Sequence, residues 1–303
     1  MQSPIRVLLA LFVIIGAFAA IGVWGHRTHA HSAGIADDSR STEIFNMSHA
    51  GPLVAAVLPT SRSVQVGTPA TAFATIINTG TSTATGCQIS PGTSVSASFS
   101  FQTTNPATNA LTGTVNTPAD IPANASRTFV FAFTPTAAIP PTDVHLNFFC
   151  ANAMAAPVVP GIDTLLLSAS TTPVPDVVAM SATLNKDGIV NVPGAKGTGV
   201  FSVAAVNRGA GATITVAADT GSATLPVRIA LCQTNPSTGQ CVNPIVPTAS
   251  PLVTTINANA TRTFGIFITG TSTFALAANR IFVRFKDAGG VTRGSTSVAV
   301  RTR

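Results

Sequence analysis

Apolar and polar residues alternate with a period of two through much of the chain beyond residue 25. The clearest case is 128–133, where Phe129, Phe131 and Phe133 share one side and the residues between them share the other. This period places successive side chains on opposite faces of a β-strand. Further stretches, separated by clusters of Gly, Pro and Asn, are 71–78, 95–102, 162–169, 176–184, 198–206, 225–232 and 294–301. No stretch beyond residue 25 keeps a helical period, so the pattern predicts an all-β fold.

The same series of strands and turns occurs twice. Residues 124–133 return almost unchanged as 259–268, and Asn78-Thr-Gly80 returns as Asn207-Arg-Gly209. We therefore predict two tandem Ig-like β-sandwich domains, at 53–171 and 172–303, with about seven short strands each. Their predicted inward rows include Val144, Leu146, Phe148 and Cys150 in the first copy, and Ile281, Val283 and Phe285 in the second.

The N-terminal part predicts export. Residues 7–24 carry no charge and, as a helix, would span about 27 Å, which suits either a signal peptide or a retained membrane anchor. We assign 1–31 to that signal peptide or N-terminal anchor and 32–52 to a flexible linker. Both alternatives place the folded part outside the cytoplasm, in the periplasm, on the cell surface or in the medium.

Four cysteines divide two per repeat. Cys232 and Cys241 flank a turn and would close ten residues, while Cys87 and Cys150 would close 64. The loop-entropy relation gives about 2.7 and about 4.3 kcal/mol for such bridges. Neither spacing resembles a zinc site or a redox pair. Structural disulfides in an oxidising compartment are the prediction, with free buried thiols as the alternative.

Positive charge is concentrated in the second repeat. Residues 53–170 carry two Arg against three Asp, whereas 171–303 carry eleven Lys or Arg against four Asp. Alternation puts Arg280, Arg284 and Lys286 on one face of a strand around Phe282, with Arg293 on neighbouring sequence. This face predicts binding of an anionic glycan, a lipid headgroup or an acidic envelope protein. The alternative is a solvated outer face without a ligand, and nucleic acid is excluded as a partner by export.

Few residues suit catalysis. Only 9% of the residues are charged, Glu43 is the sole glutamate, and no nucleophile motif is present. We expect no enzyme activity, no cofactor and no metal. One alternative is a copper site, because cleavage after Ala30 would make His31 the amino terminus, with His145 or His49 as a second ligand. Asn124 and Asn259 match glycosylation sequons, although their place before a strand favours a turn role.

The turn and strand signatures resemble a known family. The order of Pro175-Asp176-Val-Val, Asn207-Arg-Gly209, a Thr-x-Phe strand and a closing pair of strands is similar to bacterial CARDB-type, cell-adhesion-related Ig-like domains. The resemblance implies an extracellular spacer, adhesion or binding module and supplies no catalytic residue.

The sequence thus predicts a non-catalytic, exported or cell-surface structural or adhesion protein. The alternatives are a secreted carbohydrate- or copper-binding protein, and a self-associating subunit of a surface filament or layer. Membrane contact is expected only through 7–24, if that segment is retained.

Overall fold

The computed structural model describes residues 52–250, 252–275 and 279–303, and these residues belong to one compact unit. Their regular structure is entirely β, which confirms the all-β part of the predicted fold. The predicted export segment at 7–24 and all of the linker at 32–52 except its last residue lie outside the described residues. Within the described ranges, no helix is long and apolar enough to span a membrane.

The first half of the described chain forms two sheets. One has the strand order β1-β3-β7-β5, and the other has the order β2-β9-β8-β4-β6. The strands are β1 (Leu53–Leu58), β2 (Ser61–Gln65), β3 (Ala70–Asn78), β4 (Ala84–Pro91), β5 (Ala97–Thr104), β6 (Ala119–Ile121), β7 (Ser126–Pro135), β8 (Ile139–Phe149) and β9 (Thr164–Ser170).

The second half forms two more sheets, with the orders β10-β12-β17-β14-β15 and β11-β19-β18-β13-β16. The strands are β10 (Val177–Thr183), β11 (Ile189–Val192), β12 (Thr198–Asn207), β13 (Ala212–Asp219), β14 (Val227–Thr234), β15 (Val246–Pro247), β16 (Leu252–Ile256), β17 (Thr261–Gly270), β18 (Arg280–Lys286) and β19 (Thr292–Thr302).

The two halves share one topology. Each strand of β1-β3-β7-β5 has its counterpart in β10-β12-β17-β14, and the opposite sheets also correspond strand for strand. Even the one parallel pairing recurs, since β2 runs parallel to β9 and β11 runs parallel to β19. The repetition seen in the sequence is therefore a repetition of the whole sandwich.

Each half has its own hydrophobic core between its two sheets. In the first, Phe129, Phe131 and Phe133 of β7 are buried together with the inward row of β8, as the alternation predicts. In the second, Phe264 of β17 meets Phe285 of β18 edge to face, with ring centroids 5.6 Å apart. The burial of these rings fixes which face of every long strand points inward.

Candidate interaction surfaces

Both predicted disulfides are present. Cys87 of β4 is bonded to Cys150 just beyond β8, and Cys232 of β14 is bonded to Cys241. The first bond ties two adjacent strands of one sheet together, and the second closes the hairpin after β14. No free cysteine occurs in the described chain. Two formed bridges are typical of a protein that folds in an oxidising compartment.

The predicted cationic face of β18 is not an open patch. Arg284 lies 2.6 Å from Asp219 and stacks over the ring of Phe282, 4.9 Å from its centroid. Arg293 lies 2.7 Å from Asp287. An incoming anion would have to compete with these carboxylates for the two guanidinium groups.

The two remaining cations differ from each other. Arg280 donates from Nε to Ser297 Oγ at 2.9 Å, and its burial lowers its pKa to about 10. Lys286 has no ion pair within the described part of the chain. Alternation correctly predicts that these side chains point away from the core, but most of them are already engaged. Anion binding by the four residues therefore stays a prediction that the geometry does not favour.

Part of the outer side of β18 and β19, around Phe282 and Ser297, borders the first sandwich. Gly161, on the loop before β9, lies against the ring of Phe282, where an added Cβ would come within 2.7 Å of the ring. Its φ of 77° also favours glycine. Its carbonyl accepts a hydrogen bond from Ser297 Oγ at 2.9 Å. The residues singled out as a ligand face thus border a junction within the molecule.

Small buried hydroxyl side chains form the centre of this junction. Ser61 of β2 accepts from the backbone N–H of Ser295 at 2.7 Å and donates to the carbonyl of Ser295 at 3.1 Å. Ser63 accepts from Ser168 at 2.7 Å and from Nη1 of Arg293 at 3.2 Å. The bonds of Ser61 with Ser295 and of Ser63 with Arg293 cross between the sandwiches, and we call this set the serine seam. Its directed hydrogen bonds favour one relative position of the two sandwiches.

A buried ion pair completes the junction. Arg62 of β2 donates from Nη2 and Nε to Asp176 Oδ2, at 2.8 and 3.0 Å, and Asp176 Oδ1 accepts from the backbone of Ser63 at 2.9 Å. The two side chains are 14% and 6% exposed. Asp176 belongs to the Pro-Asp-Val-Val motif, so this motif serves to join the sandwiches.

Asp163 is a buried carboxyl in the loop that reaches the junction. Burial raises its pKa from 3.8 to about 6, although a hydrogen bond from the backbone of Val159 and the nearby His145 oppose the shift. The carboxyl closes the turn that presents Gly161 to the second sandwich. Its protonation state is therefore linked to the geometry of the covering loop.

Of the residues considered for copper, His145 alone lies within the described residues, and His49 lies outside them. His145 is exposed on β8, and His31 lies outside the described residues. The described chain contains no group of three or more His, Cys, Asp or Glu residues placed to hold a metal.

The asparagines that occur at equivalent positions of the two repeats shape turns or hold neighbouring backbone segments. Asn124 and Asn259 adopt left-handed conformations with φ of 53° and 60°, in agreement with the turn role expected for them. Asn78 and Asn207 are fully buried, and their amide groups donate to backbone carbonyls of nearby loops and of the ends of β6 and β16.

A shallow groove of about 340 Å³ opens beside β16, the terminal strand of its sheet. It lies between this strand and the disulfide-closed hairpin after β14. Its lining residues are Gln233, Val242, Asn243, Val246, Leu252 and Val253. Sequence reasoning does not find this surface, because isolated valines in turns carry no periodic signal.

The sequence matches no protein-family model and no curated protein. Among solved structures, it is similar to the N-terminal domain of PorA, with 11% identity, a TM-score of 0.25, and coverage of 41% of this chain and 97% of that one. A protein of unknown function from Porphyromonas gingivalis W83 shows 12% identity and a TM-score of 0.27, over 84% of this chain and 100% of that one. The secreted serine protease VesC from Vibrio cholerae shows 10% identity and a TM-score of 0.23, over 79% and 48%. Likenesses of this size carry no argument about function.

Proposed function

We propose that the protein is an exported, non-catalytic structural or adhesion component built from two immunoglobulin-like modules. The sheet orders support this assignment. We count β1 and β2 as one strand divided between the sheets, leave out the short β6, and renumber the strands of the first half from 1 to 7 in chain order. With strand 1 placed in the first sheet, the two orders become 1-2-5-4 and 7-6-3. These are the two sheets of a constant-type immunoglobulin sandwich. The second half follows the same order.

The junction is the observation that carries the proposed role. Tandem modules on flexible linkers move independently, but here a hydrogen-bonded seam and the ion pair of Arg62 with Asp176 lie buried between them. Such a contact makes one stiff body of two modules, since any relative movement would expose a paired carboxylate and several hydroxyl groups. A stiff pair suits holding a contact surface at a set distance from the cell.

The disulfides and the composition support export. Two bridges form only where thiols are not kept reduced, and the few charged residues suit a protein whose work is contact rather than acid–base chemistry. The partner proposed for this role is another component of the cell envelope.

Surface labelling of intact cells and attachment assays test the proposal. The chromosomal gene is replaced by wild type, by Arg62→Met, which breaks the buried ion pair, or by Arg284→Met, which breaks an exposed one. We expect labelling of the wild type from outside and a loss of attachment with Arg62→Met alone, at equal protein abundance. Labelling only after cell lysis, or attachment unaffected by deletion of the gene, would contradict the proposed role.

A further inference from the structure

The groove beside β16 exposes apolar side chains at a sheet edge. Val253 on β16 is 62% exposed, and Val242 and Ile245 of the neighbouring hairpin are more than half exposed. β16, the strand that carries Val253, is hydrogen-bonded to β13 along one edge. The groove lies along its other edge, and Val253 lines it. Apolar groups grouped in this way around a concavity are typical of a contact site.

The first sandwich carries an apolar projection at the equivalent hairpin. Leu111 is 63% exposed and Val115 is about half exposed, in the loop 105–118 between β5 and β6. The loop is held in shape, because Asn116 exchanges two hydrogen bonds with the backbone of Phe101, at 2.7 and 2.9 Å. A preformed projection loses little conformational entropy when it binds.

The charges beside the two surfaces are opposite. Val253, Thr215 and Lys286 are consecutive cross-strand neighbours on one sheet face, so Lys286 lies two strands away from the edge that borders the groove. Asp120 follows the loop 105–118 and is exposed on β6. The same contrast holds for the halves, since residues 53–170 have a net charge of −1 and residues 171–303 a net charge of +7. Contact between unlike halves is therefore favoured, and contact between two second halves is opposed.

We propose that the groove beside β16 binds the loop 105–118 of a second copy of this chain. Leu111 and Val115 fill the apolar groove, and Asp120 approaches Lys286. Loop and groove lie on different sandwiches, so each copy offers one of each and the contact is head-to-tail. Contacts of this type continue into open chains unless the rotation closes a ring.

Two strand edges, those of β5 and β14, are covered by asparagine side chains, which disfavours direct strand pairing at these two places. Asn116 covers the edge of β5, and in the second sandwich Asn243 accepts from the backbone of Gln233 at 2.8 Å beside β14. Edges occupied in this way do not pair with another strand.

Complementary single variants test the contact in solution. The full chain is purified in one mild detergent as wild type, Leu111→Asp and Val253→Asp. Sedimentation is followed at protein concentrations up to about 1 mM, so that a contact with a dissociation constant as weak as about 1 mM is detected. We expect the wild type to form concentration-dependent oligomers and each variant alone to associate at least ten-fold more weakly. An equimolar mixture of the variants should stop at a 1:1 dimer, because it retains one intact loop and one intact groove. That dimer also shows that both variants are folded.

Charge variants provide the matched control. Asp120→Lys and Lys286→Asp should each weaken association, and the two changes in one chain should restore it, whereas Asp143→Lys, which makes the same charge change away from the contact, should weaken it less. A wild type that stays monomeric, a Leu111→Asp variant that associates normally, or a mixture that forms no dimer would overturn the proposal. This inference rests on the proposed function, because association on the cell exterior has a use only if the protein is an exported structural component. Sedimentation measures the contact alone, whereas labelling and attachment measure the role, so either can fail without the other.

Discussion

Asn124 shows how a single residue can matter through its backbone alone. Its φ of 53° lies in the left-handed region, and its exposed side chain has no described hydrogen bond. Replacement by Ala should lower the free energy of unfolding by about 1 kcal/mol, because only the cost of the left-handed backbone changes. Asn124→Gly should be close to neutral. Urea unfolding of both variants measures the difference, and equal losses from Ala and Gly would assign the effect to the side chain.

Asp163 should make stability depend on pH. Its folded-state pKa of about 6 lies above the ordinary 3.8, so the folded protein binds this proton more tightly than the unfolded chain does. Its contribution is therefore most favourable below about pH 4 and is lost as the pH rises through 6. Asp163→Asn keeps the oxygen that accepts from Val159, and should be more stable than wild type at pH 7 but not at pH 4. Urea midpoints measured at intervals between pH 4 and pH 7 test this, and parallel curves for wild type and Asp163→Asn would contradict it.

At the scale of elements, the two disulfides should contribute different amounts to the free energy of unfolding. The bond between Cys87 and Cys150 closes 64 residues, whereas the bond between Cys232 and Cys241 closes ten. Pairwise replacement by Ala should therefore cost about 4.3 kcal/mol for the first bond and about 2.7 kcal/mol for the second. Burial adds to both losses, because Cys87 and Cys232 are both fully buried. Denaturant unfolding of the two double variants gives the order, and a larger loss from the hairpin bond would refute it.

The strands that could be predicted are those in which a regular alternation coincides with large apolar residues. β7, β8, β17 and β18 meet this condition, and their inward rows are buried as expected. β4 does not, because the register shifts between Ala84 and Cys87, where Gly86 has a positive φ. In β13 the last inward residue is Ala218, which is small and follows another alanine, so the alternation of apolar and polar residues is weak there. Strands of two to five residues, such as β6, β11 and β15, are too short to show a period.

For the whole molecule, the sequence pattern does not reveal which other part of the chain covers an outward face of a strand. Alternation shows that Arg280 and Arg284 leave the core, but it contains no information about another sandwich lying nearby. The residues that join the sandwiches are mostly serines, such as Ser61 and Ser295, whose small side chains also suit exposed strands. Only their buried hydrogen bonds distinguish them. The serine contacts between the sandwiches therefore join residues more than 200 positions apart in the sequence.

The pair of Arg62 and Asp176 should decide whether the two sandwiches behave as one body. Arg62→Met leaves a buried carboxylate without its counter-charge, which costs about 3–5 kcal/mol, either in global unfolding or by opening of the junction. Asp176→Asn in the same chain removes that charge and keeps the acceptor for Ser63, so the double variant should recover part of the loss. Arg284→Met breaks a pair whose side chains are 27% and 43% exposed, and should cost less than about 1 kcal/mol.

Unfolding curves measure these energies, and small-angle scattering measures the shape. If the junction holds the sandwiches together, Arg62→Met should raise the radius of gyration at the same monomer mass, while Arg284→Met should leave it unchanged. Partial return to the wild-type value in the double variant would identify the unpaired charge as the cause. Equal energies for the buried and the exposed pair, with no change in scattering, would mean that the serine seam alone keeps the sandwiches in place.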